Sequence, residues 1–262
     1  MPELPDVEVF RQYAEKHALN KEITGITWRD ADQILKSSRQ KISRTLKGEK
    51  FKQSKRKGKH MFLRSGSGDW LVLHFGMTGN LKYFDLQKDT PEYAKVIFRF
   101  KNKHGLACIS KRKLGGVSIT EDPEQFSEEN DLGPDALECS YNEFREALEG
   151  KRGSVKNALM DQRCISGIGN IYSDEILFRE KLHPKHNFSK LEEKALKSLF
   201  NSTQAVLKKA IEKEADPSRM PKTWLLPRRE EGKPCPGCGG EIKKIKVNGR
   251  GTYLCPSCQQ NG

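Results

Sequence analysis

Four cysteines near the C-terminus set the tightest constraint on this chain: Cys235 and Cys238, then Cys255 and Cys258, with two residues inside each pair and sixteen between the pairs. That spacing supplies four thiolates for one tetrahedral Zn²⁺ and leaves no open position on the metal, so the expected zinc is structural and not catalytic. Between the pairs, "KIKVNGRGTYL" places Asn248-Gly249 among β-prone residues, the signal of a two-residue hairpin. The expected local structure is a zinc-stapled β-hairpin with Arg250 at its tip. A guanidinium there either pairs bidentately with phosphate or stands as a solvated surface charge, and the residues alone leave both open.

The remaining cysteines, Cys108, Cys139 and Cys164, are scattered. An odd total of seven with no secretory signal argues against a disulfide framework, so a reducing cytoplasm is the expected setting and secretion is not. No apolar run approaches the ~20 residues that span a bilayer. Lys and Arg number 48 against 35 Asp and Glu, a formal charge of +13, which makes a polyanion the natural partner. With no lipid-facing segment to suggest a membrane, that polyanion is expected to be nucleic acid.

From Glu22 to about Ile119 the chain offers short β-rich runs, "ITGITW", "HMFLRS", "WLVLHF", "NLKYFDL", "KVIFRF" and "LACISK", divided by turn residues. They predict a β-sandwich or barrel, with a weaker helical stretch in "DADQILKSSRQKISRTL". The acidic "TEDPEQFSEENDLGPDAL" reads as an interdomain linker. Beyond it the apolar period turns helical in "YNEFREALEG", "SVKNALMDQR", "IYSDEILFREKL" and "KLEEKALKSLFNSTQAVLKKAIEKE". An irregular loop, "ADPSRMPKTWLLPRREEGK", then leads to the cysteines.

Three further stretches carry chemistry. "MPELPDVEVF" reads at least as a stiff lead into a helix from about Val7, with acids placed for the helix dipole. In "CISGIGNIYSDEILF", Gly167 and Gly169 permit a tight turn, Asn170 can cap the next helix, and a helix N-terminus can bind phosphate; such turns also merely join helices. In "SKRKGKHMFLRS" a cationic cluster ends at Lys59 where a strand begins. "LHFGMTGNL" and "ISKRKLGG" place Met77, Arg112 and Leu114 in turns, as wedges or as core plugs.

The order of these elements resembles one family. Pro-Glu-Leu-Pro at the N-terminus, Lys59 before a strand, His74-x-Gly-Met-Thr-Gly79, Arg112-Lys-Leu-Gly115, the Gly-Ile-Gly-Asn170-Ile-Tyr turn and a four-cysteine hairpin occur together in the formamidopyrimidine-DNA glycosylase / endonuclease VIII family, nearer its first branch. The resemblance spans essentially the whole chain. It implies an α+β fold: an N-terminal β-sandwich domain flanked by helices over residues 1–133, a helical DNA-binding domain with a helix-two-turn-helix over 134–228, and the zinc hairpin over 229–262. It also implies a monomeric bifunctional glycosylase and abasic-site lyase acting on double-stranded DNA with a damaged base or abasic site.

In such enzymes Met1 is removed and the secondary amine of Pro2 attacks C1′. A terminal amine ionises near 7.7–8.0, so a neutral fraction exists at pH 7. The resemblance makes Glu3 the acid/base at the sugar oxygen, Asp6 a further catalytic acid and Lys59 a hairpin-tip lysine at a phosphate near the lesion. It places His74, Lys156, Asn170 and Arg250 on DNA, and makes Met77, Arg112 and Leu114 the trio that fills the void of a flipped base. Asp6 stands where the family usually has glutamate, Leu114 where it usually has an aromatic wedge, and the segment before Cys235 is shorter and lacks a glycine-rich portion. A rival reading is a non-catalytic damaged-DNA binder of the same fold. A zinc-ribbon RNA or transcription factor would explain the hairpin but not the N-terminus.

Overall fold

The structure is a computed structural model and describes residues 1–260; the last two residues of the expected zinc segment lie outside the described residues. The chain divides into two compact units. One holds residues 1–2 and 6–130, the other residues 3–5 and the chain from Asp131 onward.

The first unit takes α1 (Leu4–Ala18) from Asp6 onward; the helix opens three residues earlier than its composition suggests, with Pro5 in the first turn, where a missing N–H costs no helical bond. Then follow β1 (Ile23–Trp28), α2 (Arg39–Leu46), β2 (Gln53–Lys57), β3 (His60–Arg64), β4 (Trp70–His74), β5 (Gly79–Asp85), β6 (Ala94–Phe100), β7 (His104–Ser110), β8 (Gly116–Thr120) and α3 (Pro123–Glu129). Two four-stranded antiparallel sheets result, ordered β1-β6-β7-β5 and β2-β3-β4-β8. Phe98, Phe100 and Leu106 of the first share one core with Met61, Leu63, Leu71 and Leu73 of the second, together with Ala14 of α1 and Ile42 of α2. The fold is therefore the expected β-sandwich flanked by helices.

Two elements differ from expectation. β2 was a cationic cluster to the eye, because its inward positions are Ser54 and Arg56 rather than apolar residues. They are satisfied by α1: Arg56 pairs with Glu8 at 3.2 Å, and Ser54 bonds Arg11 and Glu15. Burial pushes the Glu8 carboxyl upward, but its bond to Arg11 and the charges of Arg11 and Arg56 outweigh this and hold it below the usual range. The expected linker contains α3. Asp122 caps it by accepting from the Glu124 N–H at 2.9 Å, Pro123 fills the first turn, and Phe126 packs edge-on against Phe62 on the outer face of β3.

The second unit contains α4 (Tyr141–Leu148), α5 (Val155–Met160), α6 (Asn170–Arg179), α7 (Glu193–Glu212), β9 (Lys243–Val247) and β10 (Arg250–Leu254). Phe144, Leu159, Ile176, Leu199, Val206 and Leu207 form its core. The segment before Cys235 is irregular, with single 3₁₀ turns at Pro217–Arg219 and Leu226–Arg228, yet Met220, Trp224 and Leu225 in it are buried. No helix among the described residues is long and apolar enough to cross a membrane.

Candidate active site and nucleic-acid interface

Glu3, in the second unit, is anchored by backbone amides. It is 1 % exposed; its Oε2 accepts from the N–H groups of Gly169 at 2.8 Å and Tyr172 at 3.2 Å, and its Oε1 accepts from Ile171 at 2.7 Å. These are first-turn amides of α6, which favour a carboxylate through both free donors and the helix dipole. A Cβ at Gly169 would lie 2.3 Å from the Glu3 carboxyl carbon, so only glycine admits this approach. The sequence-based expectations that Asn170 caps α6 and that the helix end is open to phosphate are corrected. Gly169 is the cap position, no side chain of the cap bonds, and Glu3 occupies the donors.

Asn170 instead reaches the zinc hairpin, donating through Nδ2 to the Gly251 carbonyl at 3.0 Å. Its Oδ1 is buried with no hydrogen-bond partner. One turn along α6, fully buried Asp174 bonds Lys156, Arg229 at 2.7 Å and the Tyr253 N–H at 3.1 Å. Lys156 also donates to Thr252 at 2.8 Å. With a side chain 1 % exposed, Lys156, expected on DNA, joins α5 and α6 to β10. The same network fixes the hairpin turn, where Asn248 and Gly249 adopt φ of 45° and 78° and leave Arg250 exposed beside them. Asp174, Thr252 and Arg229 were missed in the sequence; the signal was the four-residue spacing of Asn170 and Asp174 on one helix face.

The four cysteine sulfurs all lie within 4.8 Å of one another. Cys235 and Cys258 are 3.8 Å apart and Cys238 and Cys255 3.5 Å, close to the ~3.8 Å edge of a tetrahedron with Zn–S of about 2.3 Å. The donor set fits one structural zinc. Beneath it, Cys235 and Cys255 pack with Phe178, Leu225 and Ile242 in a core too small to hold without the metal. Cys238→Ser is expected to release the zinc and weaken DNA binding about tenfold or more through loss of the Arg250 presentation, while the helical circular-dichroism signal persists. Metal analysis and fluorescence anisotropy check both outcomes.

In the first unit, Lys59 is nearly buried at the β2–β3 turn, and His74 ends β4 opposite His60. Burial, then the neighbouring Lys59 charge, lowers the His74 imidazole. Met77 and Leu114 are exposed, and so is Arg112. They sit on two adjoining loops. The Arg112 N–H donates to Thr78 at 3.2 Å, and Gly76, at φ +59°, lies so close to Leu114 that a Cβ would meet its backbone at 2.5 Å. Met77 and Leu114 are thus apolar side chains held out from the core.

Glu175, fully buried on α6, was also unforeseen. Its Oε2 accepts from the Leu226 N–H at 2.8 Å, while Oε1 has no hydrogen-bond partner. Burial pushes the carboxyl up to about 7. A carboxyl raised in the fold holds a proton more tightly than in the unfolded chain. Stability is therefore greatest below the unfolded value near 4.5 and is lost as pH rises through about 7. Chemical denaturation at pH 5 and pH 8 should show this loss, on the order of 3 kcal/mol, and Glu175→Gln should abolish it.

Residues 1–117 match the family model of the formamidopyrimidine-DNA glycosylase N-terminal domain, 132–222 that of the formamidopyrimidine-DNA glycosylase H2TH domain, and 232–261 that of the zinc finger found in FPG and IleRS. The chain belongs to the formamidopyrimidine-DNA glycosylase family. It is 32 % identical to the formamidopyrimidine-DNA glycosylase of Streptococcus pyogenes serotype M18, over 99 % of both chains. It is equally identical to that of Arabidopsis thaliana, over 99 % of this chain and 71 % of the plant protein. Among solved structures it is similar to Lactococcus lactis Fpg in complex with abasic-site DNA, at a TM-score of 0.89 and 28 % identity, over 99 % of this chain and all of that one. It matches the same Fpg bound to FAPY-dG DNA equally well. The H2TH match over residues 132–222 runs from α4 to α7 and includes the glycine turn and α6, whose first-turn amides bond Glu3.

Proposed function

We propose that this formamidopyrimidine-DNA glycosylase family member is a bifunctional DNA glycosylase and abasic-site lyase of base-excision repair, acting as a monomer on damaged double-stranded DNA in the cytoplasm or nucleoid. The observation that carries the reading is the anchorage of Glu3. The residue next to Pro2 is held by three backbone N–H groups of α6, more than a helix lead requires.

In this reading the Pro2 nitrogen forms a bond to C1′ as the C1′–base bond breaks and the base leaves with the bonding pair. Glu3 handles the proton at the ring oxygen as the sugar opens to an iminium ion. The iminium acidifies the C2′ proton, whose removal expels the 3′ phosphate; removal of the C4′ proton from the conjugated iminium that results then expels the 5′ phosphate, and water releases Pro2 by hydrolysis. Lys59 holds a phosphate near the lesion, His74 contacts DNA, Asp6 adjusts the nucleophile's surroundings, Met77, Arg112 and Leu114 fill the vacated stack, and Asn170 and Arg250 clamp the backbone. Lys156 serves indirectly, by fixing the hairpin. Zinc holds Arg250 in place and takes no part in bond breaking. Borohydride trapping on an abasic duplex tests the enzyme against the non-catalytic binder, which would bind without a covalent adduct.

The segment from Ala215 to Gly232 decides lesion choice. Pro217, Pro221 and Pro227 restrict it, and Trp224 and Leu225 are spent on the interior, so it closes less adaptively over a flipped base than a glycine-rich lid. Discrimination then rests on how readily a base unpairs and leaves. Single-turnover rates are expected to be high on formamidopyrimidines, oxidised pyrimidines and abasic sites and low on 8-oxoguanine. Equal rates on 8-oxoguanine opposite cytosine and on the formamidopyrimidine lesion would refute this.

A further inference from the structure

A cleft of about 520 Å³ opens on the outer face of the β2-β3-β4-β8 sheet, beside α3. That volume lies within the range of small-molecule sites. One wall is aromatic: the His60 and His74 rings lie 4.9 Å apart at 33°, and Phe126 of α3 stands edge-on to His60 at 5.4 Å. Val72 and Ile119 line the cleft as apolar residues, and the hydroxyl-bearing Ser37 and Ser118 line it too. The Ser37 Oγ already accepts from the Ile119 N–H at 3.0 Å, so its own proton remains to be donated. His60 Nδ1 is inaccessible to solvent and has no hydrogen-bond partner. Burial, then the His74 and Lys59 charges, pushes this imidazole down to about 3, so its ring is neutral across the working pH range.

A cleft with a neutral aromatic wall and mixed donors and acceptors suits a planar heterocycle with a hydrogen-bonding edge. We propose that the His60–His74–Phe126 cleft binds a nucleobase, free or presented by a strand. Stacking on aromatic faces is worth about 1–3 kcal/mol per base and tolerates different bases, while the serine hydroxyls take the edge. Leu114, Gly115 and Gly116 form the rim. An occupant therefore touches the loop that carries Arg112 and Leu114, and its binding is felt where the wedge is set.

The test titrates adenine and adenosine monophosphate into the full zinc-loaded chain and follows the histidine side-chain signals by NMR. Saturable shifts at both His60 and His74 are expected, with the two ligands within about threefold of each other. His74→Leu keeps the bulk and removes an aromatic face; it should weaken binding about tenfold with the melting temperature little changed. Ser118→Leu, which fills the cleft, should abolish the shifts. A duplex with one bulged adenine, compared with its fully paired parent, separates strand-borne from free base: stronger His60 shifts with the bulge assign the strand, and equal shifts assign the free base. The proposal is overturned by flat titrations, by undiminished binding in Ser118→Leu, or by inorganic phosphate alone reproducing the shifts.

Discussion

Protein incubated with an abasic duplex and borohydride becomes covalently bound to DNA, and peptide mass spectrometry places the adduct at Pro2 of a chain lacking Met1. The reason lies in the nitrogen. While Met1 remains, the Pro2 nitrogen is an amide with its lone pair delocalised into the carbonyl, and it cannot attack carbon. Once freed it becomes a secondary amine with a reactive neutral fraction at pH 7, and a secondary amine passes directly to an iminium ion. A chain that retains Met1 should lose at least about a thousandfold in single-turnover rate, ~4 kcal/mol of barrier, while binding abasic DNA normally. Trapping at Lys59 with Pro2 unmodified would move the nucleophile elsewhere.

Glu3→Gln should be nearly as damaging, for two separable reasons. The two Glu3 oxygens divide three amides between them, Gly169 and Tyr172 on one and Ile171 on the other. A glutamine amide can keep its oxygen toward the first pair, but then its NH₂ faces the Ile171 N–H, donor against donor. That costs about 1–3 kcal/mol of stability and should appear as faster hydrogen exchange at Ile171. Chemically, the amide cannot exchange a proton with the sugar, and loss of a positioned acid/base slows catalysis by about 10²–10⁴. Glycosylase activity within tenfold of the parent, with Ile171 still deprotected, would reduce Glu3 to a helix cap.

The parts of this molecule that were legible in the sequence are those whose neighbours in space are neighbours in the pattern. Met61 and Leu63 alternate with an outward partner, so β3 announces itself, and the cysteine spacing fixes its own geometry. β2 was hidden because Ser54 and Arg56 are buried against polar partners on α1, more than forty residues away by the Arg11–Ser54 separation of 43. α3 was hidden by its acidity, since one phenylalanine gives no period. The site shows the same division. The exposure of Met77 and Leu114 follows from their turns, whereas the true occupant of the α6 N-terminus is Glu3, 166 residues before Gly169. The enclosure of Lys156 was not legible because nothing nearby in the sequence reveals that Asp174 and Thr252 bond it.

The carboxylate of Asp174 bears on how such a chain can change over time. Lys156, Arg229 and the Tyr253 amide, from three distant stretches, all converge on it. Replacing any one side chain alone strands a buried charge, whereas exchanging them together restores balance, so drift at these positions should be concerted rather than independent. The zinc hairpin, though its sequence reads as a detachable module, is for this reason a poor graft: a hairpin taken from a relative would have to bring its own Lys156 and Arg229 counterparts to be seated as this one is.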